Sequence, residues 1–166
     1  MTFKIYIPID STALSLGAND VYEAVISEAK KRDIDIQIVR NGSRGLFWLE
    51  PLIEVETSDG RLAYGPVTVD DVITLFDDKF YAGNDSSSLF LGLTEEIAWL
   101  KNQERLTFAR VGITDPVDID DYEKYDGFKG LRNALKQDSQ SIVKTMTDSG
   151  LRGRGGAAFP TGIKWQ

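Results

Sequence analysis

Between Phe3 and Phe76 the spacing of apolar residues switches from two to helical and back, and this alternation restricts the fold more than any other feature. Phe3, Ile5, Ile7 and Ile9 alternate with Lys4, Tyr6, Pro8 and Asp10. That is the period of a strand, with Pro8 marking an edge position or an early end. Ala18, Val21, Val25 and Ala29 then share one face of a helix that runs from a cap at Asn19 or Asp20 to about Arg32. Ile34, Ile36 and Ile38 alternate again. Asn41 to Gly45 is a loop, and Leu52 to Glu56 reads as a third strand. Ser58-Asp59-Gly60 predicts a hairpin turn into a fourth strand over Leu62 to Gly65. Thr68 caps a helix carrying Val69, Val72, Ile73 and Phe76, with Asp70 and Asp71 in its first turn. The order β-α-β-β-β-α predicts a small α/β sandwich whose first two strands run parallel.

Past this region the signals weaken. Asp77 to Ser88 is polar, with Gly83 to Ser88 at its centre, and reads as a linker. Thr94 is placed to cap a short helix through Ile97 and Leu100. Thr107 to Thr114 is apolar enough to pack as a strand, which Asp115-Pro116 breaks. Asp118, Asp120 and Asp121 lack the glycine and distal glutamate of a calcium loop and read as a solvated turn. Two helical patches follow, Phe128, Leu131 and Leu135, then Ile142, Val143 and Met146, with Gly150 placed to end the second. The expected division is a domain over 1–80, a linker with a short helix over 81–104, and a second domain over 105–166.

The 166 residues include no cysteine and no histidine. Disulfides, a cysteine nucleophile, a histidine base, thiolate zinc and a cysteine-held iron–sulfur cluster are excluded within this chain. Proton transfer would fall to Asp, Glu, Lys or Tyr, and no residue stands out as a catalytic acid or base. The net charge of −7 argues against nucleic acid as a partner. No apolar run reaches 18 residues, so no membrane span is expected. The opening Met1 to Tyr6 lacks the apolar block of a signal peptide, so a cytoplasmic location is expected.

The charge is uneven. Residues 151–166 hold Arg152, Arg154 and Lys164 and no acidic residue, which leaves −10 on residues 1–150. Gly153, Gly155, Gly156 and Gly162 lie among those cations. Glycine lets backbone N–H groups approach a phosphate, and the cations add charge at the same place. By composition, a phosphate cradle and a basic surface loop stand level.

The whole string from Ser149 to Trp165, S-G-L-R-G-R-G-G-A-A-F-P-T-G-I-K-W, resembles one family's cofactor segment. It is the flavin- and nicotinamide-binding segment of the NADH-binding flavoprotein subunit of respiratory complex I. Relatives in NAD-reducing hydrogenases and NAD-dependent formate dehydrogenases share it. The family pattern has glycine where Ala158 stands, the one departure, and the extra methyl implies slight crowding. The resemblance implies that Gly153, Arg154, Gly155 and Gly156 wrap the ribityl phosphate of FMN beside Ala158. It also implies that Lys164 contacts the flavin and that Phe159 packs on the flavin or nicotinamide. Trp165 reads as a packing residue. Upstream, Tyr125 to Leu135 looks like the family's G-G-Y-x-A-L-x-x-A-L helix, so the likeness runs from roughly Thr107 onward.

A second likeness lies nearer the start. Ser43 to Pro51, Tyr64-Gly65 and Val67-Thr68 resemble the C-L-G-x-C-G-x-x-P … Y-x-x-V-T segment of the thioredoxin-like [2Fe–2S] ferredoxin domain of the same complexes. Ser43 and Phe47 stand at two cluster-cysteine positions, and Pro8 and Ala13 have the spacing of the other pair. The resemblance implies a thioredoxin-like domain over 1–80 without a cluster, left with a docking role. It also implies that the start of an α/β Rossmann-like FMN-binding domain follows. The combination looks most like the β subunit of soluble, molybdenum-dependent, NAD-linked formate dehydrogenases, on the strength of residues 41–51 and 105–116. Hydrogenase diaphorase and complex I subunits rank below. On this reading the chain is an N-terminal part of a subunit that binds FMN and NAD, with a [4Fe–4S] cluster held beyond residue 166. Its partners would be a molybdenum and iron–sulfur α subunit and a [2Fe–2S] γ subunit.

Overall fold

β1 (Phe3–Tyr6) pairs in parallel with β2 (Ile36–Val39), Phe3 opposite Ile36 and Tyr6 opposite Val39. On its other side it meets β3 (Ile53–Thr57), which is antiparallel to it. The sheet continues, each strand antiparallel to the last, through β4 (Gly60–Tyr64) to β5 (Phe90–Leu93), in the order β2-β1-β3-β4-β5. The computed structural model describes residues 2–166, which fall into two units, one up to Tyr125 and the other Asp126–Gln166. The sheet belongs to the first.

Parallel neighbours need a crossover, and α1 (Ser11–Ser15) and α2 (Ala18–Lys31) supply it. Asp10 caps α1, its carboxylate accepting from the N–H groups of Thr12 at 3.0 Å and Ala13 at 3.4 Å. The N-cap of α2 is Gly17, not Asn19 or Asp20. The Asn19 side chain accepts from Arg40 Nη2 instead, at 2.8 Å. β1 ends before Pro8 but lies inside the sheet rather than at an edge. Pairing continues past it, with Ile7 N–H donating to the Val39 carbonyl at 3.1 Å and Ile9 N–H to that of Asn41 at 2.9 Å. Pro8, without an N–H, falls between these two donors.

The core lies on the face covered by α2 and by α3 (Val72–Asp77). Ile5, Ile7, Ile53, Val55 and Tyr64 from the strand side meet Val21, Val25, Leu75 and Phe76 from the helices there, all buried. Each such aliphatic or phenyl side chain contributes roughly 1.5–3 kcal/mol by leaving water. Thr68 opens the approach to α3. Its N–H and hydroxyl donate to Asp71 Oδ2 at 2.8 and 2.5 Å. The four strands β2-β1-β3-β4, with one parallel pair and α2 and α3 on a shared face, form the thioredoxin-like arrangement anticipated for this region. β5 is added at the far edge.

Residues 81–104, anticipated as a linker with a short helix, hold that fifth strand. Phe80 is buried, and the Tyr64 hydroxyl donates to the Asn84 carbonyl at 2.7 Å. The polar run 83–88 is therefore a turn that returns the chain alongside β4. Thr94 does not cap a helix. It begins a 3-10 turn, Thr94–Glu96, with its hydroxyl buried and unpaired among the described residues. α4 (Ala98–Lys101) follows from Ile97.

Thr107 to Thr114 forms successive turns, not a strand. Turn hydrogen bonds and side chains, rather than a ladder, satisfy its carbonyls. Asn41 Nδ2 donates to Gly112 O at 2.8 Å, and Arg61 Nη1 and Nη2 donate to Gly112 O and Ile113 O at 3.2 Å each. Asp118, anticipated in a solvated turn, caps α5 (Ile119–Lys124) by accepting from Asp120 and Asp121 N–H at 2.9 and 3.1 Å. Arg44 is buried and donates to both carboxylate oxygens of Glu54, Nε to Oε1 at 2.7 Å and Nη2 to Oε2 at 2.9 Å. Its Nη1 reaches Glu95 at 2.7 Å, and Arg61 adds a contact to Glu54 at 3.3 Å. Burial works against the Arg44 charge, but the hydrogen bonds and charge of Glu54, with Glu95, outweigh it and push its pKa up.

The second unit is helical. α6 (Lys129–Ala134), α7 (Ser139–Asp148) and α8 (Thr161–Trp165) are accompanied by one isolated bridge, Arg152 to Pro160. The described residues of this unit form no strand ladder. Asp138 caps α7, accepting from Ser141 N–H at 3.0 Å, and Gly150 follows its end at φ +65°. The buried residues of this unit are Gly127 and Gly162. Trp165 is half exposed, so the packing role anticipated for it is not seen. Among the described residues, no helix is long and apolar enough to cross a membrane.

Candidate functional site

The glycine-rich string of the second unit closes on itself as a loop. Thr161 N–H donates to the Leu151 carbonyl and Gly153 N–H to the Phe159 carbonyl, both at 2.9 Å. Arg152 and Pro160 pair between them, so the base of the loop is a pinched, antiparallel neck. Arg154 to Ala158 form its open end, and all are exposed. The N–H groups of Gly155, Gly156 and Ala157 meet no acceptor of the chain among the described residues.

Backbone shape at the open end is specific. Gly156 has φ +112° and Ala158 φ +49°, both left-handed. Glycine enters that region freely, whereas an L-residue does so at a cost. The effect of Ala158 is thus set by its backbone angle and not only by the volume of its methyl. At Gly155 a Cβ would meet nothing within 4 Å, so the chain's own packing places no demand for glycine there.

The three cations are disposed differently. Arg152 Nε donates to the Ala158 carbonyl at 2.7 Å and is occupied by the loop itself. Arg154 has no carboxylate partner among the described residues. Lys164, on α8, holds its Nζ 5.9 Å from the Phe159 ring centroid. Gly162 fixes α8 against α7, since a Cβ there would lie 2.5 Å from Thr147 Cα. Gly153, Arg154, Gly155, Gly156, Ala158, Phe159 and Lys164 are thereby gathered on one loop and the helix that follows it. Sequence reasoning missed the inward turn of Arg152, whose acceptor lies six residues away on a backbone carbonyl that no side-chain pattern reports.

The positions compared with cluster cysteines carry a different chemistry. Ser43 N–H donates to Asp10 at 2.7 Å, and Ser43 Oγ donates to Glu50 Oε1 at 2.6 Å. Glu50 Oε2 accepts from Leu52 N–H at 2.9 Å. Burial pushes the Glu50 carboxyl up, against the pull of those two hydrogen bonds. Ala13 is fully buried, and Phe47 is mostly exposed. With Pro8, Ala13, Ser43 and Phe47 offering no sulfur, these residues do not fit a [2Fe–2S] cluster. Two exposed tryptophans, Trp48 and Trp99, meet edge to face, 5.7 Å between centroids, and Trp48 neighbours this network in sequence.

A glycine-rich loop with exposed cations thus follows, along the chain, a thioredoxin-like unit without thiolates. Known proteins match parts of this chain. It is 48% identical over 65 residues to the NADP-reducing hydrogenase subunit HndC of Solidesulfovibrio fructosivorans, covering 39% of this chain and 13% of that one. It is 50% identical over 48 residues to the F subunit of the NADH-quinone oxidoreductase of Streptomyces coelicolor, covering 29% and 11%. The Escherichia coli counterpart of that protein matches at 49% over 51 residues, 30% and 12% of the two chains. The chain therefore spans about an eighth of the length of these curated relatives. No family model matches. Among solved structures, the thioredoxin-like [2Fe–2S] ferredoxin from Aquifex aeolicus aligns with 55% of this chain and 97% of its own, at 15% identity and a TM-score of 0.45.

Proposed function

We propose that this chain is part of an NAD(H)-linked flavoprotein subunit of a multi-subunit oxidoreductase, and that residues 151–164 form one wall of its FMN and NAD site. The observation that carries this reading is the closed loop, with its unengaged N–H groups beside Arg154. Three consecutive donors and a free guanidinium suit the ribityl phosphate of FMN, which accepts several charge-assisted hydrogen bonds of roughly 1.5–3 kcal/mol each. The open space at Gly155 and Gly156 lets that phosphate approach the backbone closely. Lys164 would add charge at the flavin, and the half-exposed face of Phe159 would pack on the flavin or nicotinamide. Bound FMN supplies the exchange between a two-electron hydride and single electrons passed to iron–sulfur clusters. The protein's share is to hold and orient the cofactor.

Within this class, the reading extends to the β subunit of a soluble, molybdenum-dependent formate dehydrogenase, working in the cytoplasm with α and γ partner subunits. The residues 41–51 and 105–116 and the missing cluster cysteines support it. A hydrogenase diaphorase is the second reading, favoured by the 48% identity to a hydrogenase subunit.

The test uses the complete subunit. Replacing both Arg154 and Lys164 by Ala is expected to lower the flavin retained on purification by at least about tenfold. Flavin content equal to the parent's sinks the proposal. Formate-driven and hydrogen-driven NAD reduction by the intact complex then separates the two donor readings.

A further inference from the structure

Of the loop's three cations, Arg152 is the one turned inward. Its Nε donates to the Ala158 carbonyl at 2.7 Å, while the same residue pairs with Pro160 across the neck. Ala158 lies at φ +49°, where a side chain crowds the backbone. The strained residue and the guanidinium that holds its carbonyl are thus partners. The segment they enclose, 153–158, contains the N–H groups available to a ligand.

We propose that Arg152 is a positioning residue of the cofactor site. It clamps the Ala158 carbonyl and keeps the loop in the open shape that presents its N–H groups, acting on the phosphate through the backbone rather than by touching it. This rests on the flavin reading above. The clamp has a signature that direct contact lacks. Glycine at 158 adopts the left-handed angle without strain and needs less holding. The effects of positions 152 and 158 are therefore coupled, while those of 154 and 158 are independent.

The test is FMN titration of the deflavinated complete subunit, followed by flavin fluorescence. Arg152→Ala is expected to raise the Kd for FMN about tenfold. In an Ala158→Gly background the same change is expected to cost about threefold or less. Arg154→Ala should cost the same in both backgrounds. Equal losses for Arg152→Ala in the two backgrounds overturn the clamp. Arg152→Lys keeps the charge but puts a methylene where Nε donates, and is expected to resemble the alanine variant. Full affinity in the lysine variant also overturns the proposal. Should the alanine variant fail to fold, the lysine variant runs the same cycle. A parent subunit that binds no FMN removes the flavin reading and the clamp together, whereas additive losses remove only the clamp.

Discussion

The two units solve the problem of stability in opposite ways. In the unit up to Tyr125, strands and helices bury Ile5, Ile53, Tyr64, Phe76 and Phe80 completely, and even an arginine and a glutamate are enclosed as a pair. In Asp126–Gln166 the only buried residues among those described are two glycines, and Leu131, Leu135, Phe159 and Ile163 remain about half or more exposed. Apolar surface left in water contributes little to folding. Among the described residues, the second unit is held by caps, turns, the neck of the glycine loop and the contact of α8 with α7. In the unit with the candidate site the hydrogen bonds are local, and α8 packs on α7 at Gly162.

The sharpest way to break this contrast is to open the ion pair of the first unit. Arg44→Ala leaves Glu54 buried without its main partner, and the expected loss is about 3–5 kcal/mol in urea unfolding followed by tryptophan fluorescence. Arg154→Ala in the second unit is expected to change stability by under about 0.5 kcal/mol. Equal effects for the two arginines would erase the distinction.

Gly162→Ala probes the one tight contact described in the second unit. A Cβ there meets both the backbone and the side chain of Thr147, so the expected cost is about 1–3 kcal/mol. Hydrogen exchange at the α7 amides is the measurement. Unchanged protection would mean that α7 does not lean on α8.

The smallest expected effect concerns Glu50. Burial raises its folded-state pKa, so the folded chain binds that proton more tightly than the unfolded one. Its contribution to stability is thus present at low pH and lost as the pH rises from the usual carboxylate range through the folded pKa. Glu50→Gln cannot titrate and is expected to flatten that decline. A variant with the parent's slope would assign the decline to other groups.

The first unit was largely legible because its strands and helix announce themselves by period. Ile36 and Ile38, the Ser58-Asp59-Gly60 turn and the Val21-Val25-Ala29 face all lie where the pattern put them. β5 was hidden because Phe90-Leu91-Gly92-Leu93 has no alternation and follows a polar turn. The fold of 105–115 was hidden for another reason. The Gly112 and Ile113 carbonyls are held by Asn41 and Arg61, which lie some fifty to seventy residues earlier, and periodicity reports nothing about such bonds. At the site, the motif gave away the glycines and cations as a group. It could not reveal which cation faces inward, nor that position 158 is set by a backbone angle.

Asp10, Ser43 and Glu50 are joined by oxygen and nitrogen contacts and not by a metal or by sulfur. Such contacts form as the chain folds and need no assembly machinery. They are indifferent to iron scarcity, to chelators and to oxygen. The first unit thereby holds this region together with contacts that are complete once the chain has folded.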